Sequence, residues 1–182
     1  MKTFCTYYNQ GICSSCSQIE RPYPVQLKAK LEKLTELLAF AQPYELLDAV
    51  SSTTIGFRNK AKFSITGSME QPIIGLTGET DLDQGREIKD CPLHHPEINK
   101  LIHGLPEFIQ LTSLKPYQIK LKQGELKGAI VYYSTESEQM YLRLIVRSKE
   151  SLDRIRKHTP ELLRRFPKLK CFSVNIQPIP HA

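Results

Sequence analysis

The sequence predicts an α+β fold, a mainly antiparallel sheet with two or three helices, preceded by a cysteine-rich N-terminal loop. Three observations predict it. Several short segments alternate apolar and polar residues between tight turns, as half-buried strands do. Longer segments between them place apolar residues three and four apart, as helices do. The first twenty residues do neither, yet hold three of the five cysteines. Strand pairs on short turns with a few helices fit an antiparallel sheet covered on one side.

Residues 1–20 read as an irregular loop, because they hold few aliphatics and no period. Residues 22–41 read as a helix: Pro22 and Pro24 suit its first turn, Leu27, Leu31, Leu34 and Leu38 repeat on one face, and Pro43 ends it. Segment 44–57 is poorly patterned. Residues 59–67 alternate, with Ala61, Phe63 and Ile65 facing one way and Lys60, Lys62 and Ser64 the other. Gly67-Ser68 and Pro72 bracket a turn, and Ile73 to Thr77 is the returning strand. Residues 78–90 are expected to be a polar loop ending at Cys91-Pro92. A helix over 96–111 is expected to break near Gly104 and Pro106. Strands at 117–122, 125–134 and 140–147 follow. An amphipathic helix over 150–165 then turns Leu152, Ile155, Leu162, Leu163 and Phe166 inward, with Pro160 in position to split it. A strand at 169–177 closes the chain.

The 182 residues are 40% hydrophobic, which supports a packed core and excludes a disordered chain. No apolar run approaches the ~20 residues a membrane span needs. The N-terminus has no apolar signal core, so a cytoplasmic protein without a membrane partner is expected. In such a reducing compartment, clustered cysteines are metal ligands or catalysts more often than disulfides. The net charge is +6, unevenly spread. Segment 143–170 has ten Lys or Arg against three acids, whereas 79–90 has five acids, beginning at Glu79, against two bases. Such asymmetry suits a polyanionic partner, nucleic acid first; a solvated helix face is the plainer alternative.

The cysteines form the pattern Cys5-x7-Cys13-x2-Cys16, with 74 residues between Cys16 and Cys91-Pro92. A C-x2-C turn brings two sulfurs to one centre and lets backbone amides bond to them. Thiolates favour zinc or iron–sulfur clusters, and a final cysteine followed by proline recurs in cluster proteins. Zinc motifs come more often as two C-x2-C pairs. A thioredoxin-like pair would need a surrounding βαβ unit, which is lacking here. Buried inert thiols are the remaining reading. It suits Cys171, in the apolar run Lys170-Cys171-Phe172, and not Cys5, Cys13 or Cys16, which lie among Thr, Ser, Asn and Gln.

Gly56-Phe57-Arg58-Asn59-Lys60-Ala61-Lys62-Phe63 sets Arg58, Lys60 and Lys62 at alternate positions, hence on one sheet face, beside aromatics. That combination suits a phosphate backbone and unstacked bases. Lys115, Tyr117, Lys120, Lys122 and Lys127 form a second basic stretch. His94 and His95 follow the last cluster cysteine, where they would support the ligands; His103, His158 and His181 are scattered. The chain has no H-E-x-x-H, Walker loop, G-x-G-x-x-G or Ser/His/Asp order, so no catalytic residue is proposed from motifs.

With these motifs in place, the chain resembles the RNA 5-methyluridine methyltransferases along nearly all of its length, and within them those that modify 23S rRNA. The resemblance is carried by Cys5 with Gly11-Ile12-Cys13-Ser14-Ser15-Cys16, by Gly56 to Lys62, and by Asp90-Cys91-Pro92-Leu93. Lys122-Gln123-Gly124-Glu125-Leu126-Lys127, Leu142 to Ser148 and Val174-Asn175-Ile176-Gln177-Pro178 add to it. It implies a [4Fe–4S] cluster on Cys5, Cys13, Cys16 and Cys91. It implies a cluster loop at 1–20 and a central α+β domain at 21–182 that grips 23S rRNA, with Arg58, Lys60, Lys62 and Lys127 as contacts. Relatives that methylate other rRNA sites often carry an oligonucleotide-binding barrel before the cysteines, and tRNA-specific relatives typically lack the cluster. The family's S-adenosyl-L-methionine domain, with its nucleophilic cysteine and basic glutamate, has no counterpart in these residues, and Cys171 is not in the nucleophile's motif. The chain alone is therefore expected to be monomeric and to methylate nothing. A stand-alone zinc-stabilised RNA-binding module is the competing expectation.

Overall fold

The structure, a computed structural model, describes residues 3–78 and 80–179; Glu79 of the acidic segment, Pro180 and His181 lie outside them. The helices are α1 (Thr6–Asn9), α2 (Tyr23–Leu37), α3 (Pro96–Leu111) and α4 (Leu152–Arg165), with a 3-10 turn at Ala39–Ala41. The strands are β1 (Lys60–Gly67), β2 (Pro72–Thr77), β3 (Gly85–Glu87), β4 (Leu126–Ser134), β5 (Gln139–Val146) and β6 (Leu169–Ile176). They form one sheet in the order β3-β2-β1-β4-β5-β6. Every neighbouring pair is antiparallel except β5 and β6, which run parallel with α4 as the crossover.

The α+β reading and the mainly antiparallel sheet hold; among the described residues the helices number four, counting the single turn α1. The core lies between one sheet face and helices α3 and α4. Ile98, Leu101, Ile102, Leu105, Phe108 and Ile109 of α3 are buried against Ala61, Phe63 and Ile65 of β1 and Ala129 and Val131 of β4. The alternation expected in β1 is thus correct, and Lys60 and Lys62 take the opposite, exposed face.

Several boundaries differ from expectation, each for a physical reason. Helix α3 runs unbroken through Gly104 and Pro106, because its apolar face is wholly buried; Gly104 has the Phe166 ring where a Cβ would go. Helix α4 likewise passes through Pro160, with the Thr159 hydroxyl donating to the Ile155 carbonyl at 2.8 Å. Ile155, Leu162 and Phe166 are buried as expected, but Leu163 is exposed. Segment 117–122 is a turn rather than a strand. The Asp83 carboxylate accepts the Ile119 and Lys120 amides at 2.6 and 3.1 Å, and Lys122 adopts a positive φ. Within the 78–90 loop, Gly85–Glu87 pairs with β2 as an edge strand. Helix α2 forms two residues short of Ala39, and none of its residues is buried. Among the described residues no helix is long and apolar enough to cross a membrane.

Candidate metal centre and basic face

Two segments distant in sequence supply the four cysteines. In the first, Cys5 sits at the N-cap of α1, and its carbonyl accepts the Asn9 amide at 3.1 Å. Asn9 also ties back through its side chain to the Thr3 amide and carbonyl, at 2.9 Å each. The Tyr7 carbonyl collects the Ile12 and Cys13 amides at 2.9 and 3.2 Å, which folds Cys13 back toward Cys5. Gly11 permits that reversal with φ +70°. In the second segment, the Cys91 carbonyl accepts the His94 amide and the Asn99 side-chain amide, both at 3.1 Å.

The two segments meet. The Tyr7 hydroxyl accepts the Lys89 and Asp90 amides at 3.2 and 3.1 Å. Cys5, Cys13, Cys16 and Cys91 line one cavity, and Arg58, Lys60 and Lys62 line it too. All four thiols are free. Burial pushes the Cys16 and Cys91 thiols up, nearby cysteines push further, and Arg58 pulls both back. Bare thiols at Cys16 and Cys91 resist ionising, so a cationic centre would supply the missing counter-charge. Among the described residues, no group of three or more His, Cys, Asp or Glu side chains is arranged to hold a metal ion, so the expected four-cysteine ligand set is not assembled here. Cysteine sulfur is the donor that both zinc and iron–sulfur clusters take, so the residue types at these four positions suit either.

The two histidines beside Cys91 have separate roles. His94 is buried, with its ring edge-on to Phe63 and its Nδ1 3.2 Å from the Asn99 oxygen; burial pushes its pKa down. His95 Nδ1 accepts the Glu97 amide at 3.3 Å as the N-cap of α3, and its ring stacks on Tyr133. His103 pairs with Asp90. Cys171, expected in the apolar interior, is exposed on the open sheet face, because β6 turns Phe172 and Val174 inward instead.

The basic residues divide into paired and unpaired sets. On and around α4, Arg154, Arg156, Arg164 and Arg165 pair with Glu150, Asp153, Glu161 and Glu107. The basic helix is largely self-neutralised, as the plainer reading held. In the second basic stretch, Lys120 pairs with Asp81. Lys127 lies over the Tyr117 ring and donates to the Ile179 carbonyl, and burial and Arg147 lower its pKa. Arg58, Lys60 and Lys62 are exposed and, among the described residues, have no ion pair. Tyr7 carried no sequence signal for its role, since its two partners lie more than 80 residues away.

No protein-family profile matches the chain. One solved structure shares the fold over 92% of this chain and 38% of its own, with a TM-score of 0.67 and 20% identity: a Pyrococcus abyssi tRNA (uracil-54, C5)-methyltransferase in complex with S-adenosyl-L-homocysteine. The chain thus has the fold of part of an RNA uracil-C5 methyltransferase. In sequence the chain is similar to 23S rRNA (uracil(747)-C(5))-methyltransferases RlmC. That of Shewanella amazonensis is 35% identical over 175 residues, and that of Escherichia coli is 38% identical over 175 residues. Each alignment takes in 96% of this chain but only 45% and 46% of the respective relative, so the chain spans under half the length of these relatives.

Proposed function

We propose that this chain is the cluster-bearing, RNA-gripping part of a cytoplasmic methyltransferase that forms 5-methyluridine in 23S rRNA. Cys5, Cys13, Cys16 and Cys91 would hold a [4Fe–4S] cluster. Its contribution is structural: it ties the N-terminal loop to the 78–92 loop, beside the basic row Arg58, Lys60 and Lys62. Residues 1–20 then act as the cluster loop and residues 21–182 as the RNA-binding domain completed by Cys91. The observation that carries this reading is the convergence of all four cysteines on a cavity that the three cations also line. S-adenosyl-L-methionine binding and the nucleophile belong to the length of the relatives that this chain does not match. We assign no catalytic residue, and the chain by itself transfers no methyl group.

Anaerobic purification of the chain tests the centre. The expected product is brown, with iron and acid-labile sulfide that are lost in Cys16→Ser and kept in Cys171→Ser. Stoichiometric zinc without iron or sulfide would overturn the cluster and favour a zinc-stabilised module. Affinity for a 23S rRNA fragment is expected to fall steeply with salt, since lysines and arginines displace counterions from phosphates. Salt-independent binding would remove the electrostatic grip.

A further inference from the structure

Helices α3 and α4 cover one face of the sheet, and the opposite face carries two rows of side chains across four strands. In the first row Lys60 pairs with Tyr132, Tyr132 with Tyr141, and Tyr141 with Cys171. In the second, Lys62 pairs with Ile130, Ile130 with Arg143, and Arg143 with Ser173. Alternation along each strand places all eight on one face. Lys60, Lys62, Tyr132, Arg143 and Cys171 are exposed there. The Tyr132 and Tyr141 ring centroids are 5.7 Å apart. Lys60 Nζ lies 4.9 Å from the Tyr132 centroid, and the Arg143 guanidinium lies 5.4 Å from that of Tyr141. Ser173 fixes this end, because its Oγ meets the Tyr141 hydroxyl at 2.8 Å and accepts from Arg143 Nε at 3.3 Å. Neither row holds a carboxylate, and among the described residues Lys60, Lys62 and Arg143 have no ion pair.

We propose that this face is a stacking platform for a single-stranded RNA segment, its bases lying on Tyr132 and Tyr141 and its phosphates neutralised by Lys60, Lys62 and Arg143. Exposed, unpaired cations select a polyanion. The two rings select one with accessible base faces. In an A-form duplex those faces are stacked away and the deep groove is too narrow to enter, whereas an unpaired strand offers a π-face at every base. Tyr132 and Tyr141 sit on adjacent strands at the ~4.8 Å sheet spacing, each with a cation beside its ring, Lys60 and Arg143, so one bound strand can engage both. Two tyrosines rather than hydrogen-bonding amides predict weak sequence preference. This proposal rests on the RNA-binding reading above and specifies where, and in what form, the RNA is held.

The test measures binding of the full chain to a fluorescent single-stranded RNA and to the same RNA annealed to its complement. The single strand is expected to bind more tightly. Tyr132→Ala with Tyr141→Ala should weaken it on the order of tenfold, while the dependence on salt is unchanged. Tyr132→Phe should bind as the parent does, which separates stacking from a folding defect. Arg143→Ala should reduce the slope of log affinity against log salt by about one. If the double tyrosine variant melts normally and binds single strands as well as the parent, the platform is wrong and the RNA-binding reading stands. Equal affinity for duplex and single strand also overturns the platform. No RNA binding by the parent chain overturns both.

Discussion

Helices α2 and α3 carry the same sequence signal and meet opposite fates. In α3, Leu101, Leu105 and Ile109 follow helical spacing, and each is fully buried on the sheet. In α2, Leu27, Leu31 and Leu34 follow it too, yet no residue of the helix is buried, and Leu34 and Leu37 are 41% and 59% exposed. The contrast extends to whole regions. The sheet with α3 and α4 buries its apolar residues, whereas 23–57 exposes Phe40, Leu47, Val50 and Ile55. Periodicity states which side of a helix favours burial; it does not supply the surface that buries it. The N-terminal region is held instead by polar contacts, among them the Tyr7 hydroxyl on the Lys89 and Asp90 amides.

That contrast can be broken by truncating one leucine in each helix. Leu105→Ala removes a fully buried side chain that cannot be refilled, and is expected to cost about 2–5 kcal/mol in urea unfolding. Leu37→Ala is expected to change stability by under about 0.5 kcal/mol, as exposed positions do. Comparable losses from both would show that α2 is packed as α3 is. Glu125 comes next. It is buried, and its carboxylate accepts from Arg147 Nε at 3.0 Å, from Arg147 Nη2 at 2.9 Å, and from the Ser148 amide and hydroxyl at 3.0 and 2.8 Å. Glu125→Ala orphans all of these donors. Because Arg147 is 40% exposed and water can reach it, the expected cost is about 2 kcal/mol, below that of a fully buried pair.

Gly104→Ala sharpens the same point within α3. Helix propensity alone would favour alanine by about 0.8–1 kcal/mol. The new methyl would run into the buried Phe166 ring, and overpacking costs about 1–3 kcal/mol, so the net effect is expected to be destabilising by about 1 kcal/mol. A rise in melting temperature would show that Phe166 can move aside and that α3 and α4 are less tightly joined than the rest of the core.

How much was legible follows the same division. Where neighbours in sequence are neighbours in the sheet, as along β1 and β4, alternation gave both faces correctly, including the exposed side of Lys60 and Lys62. Prolines and glycines misled within α3 and α4, because burial on the sheet outweighs their local cost. The 117–122 strand failed because a side chain from another loop, Asp83, satisfies its amides. At the site, the cysteine spacing together with the Cys91-Pro92 step singled out Cys5, Cys13, Cys16 and Cys91, and the resemblance implied that they form one ligand set. The pairing of Tyr132 with Tyr141, and the bond from Tyr7 to the 89–90 backbone, depend on fold-level register that no local pattern encodes.

The smallest expected effect addresses the joint between the two regions. Tyr7→Phe deletes one hydroxyl that accepts two amides, Lys89 and Asp90, and leaves the ring. Asp90 is exposed, so water replaces part of what is lost, and the expected cost is about 1 kcal/mol. The loss should be local. Hydrogen exchange at the Lys89 and Asp90 amides is expected to speed up, while amides in β4 and β5 keep their protection. If the cysteine site is the main tie between the two loops, cluster-loaded protein should hide most of this change and metal-free protein should show it fully. Equal acceleration in both forms would mean that Tyr7, and not the sulfur centre, carries the connection.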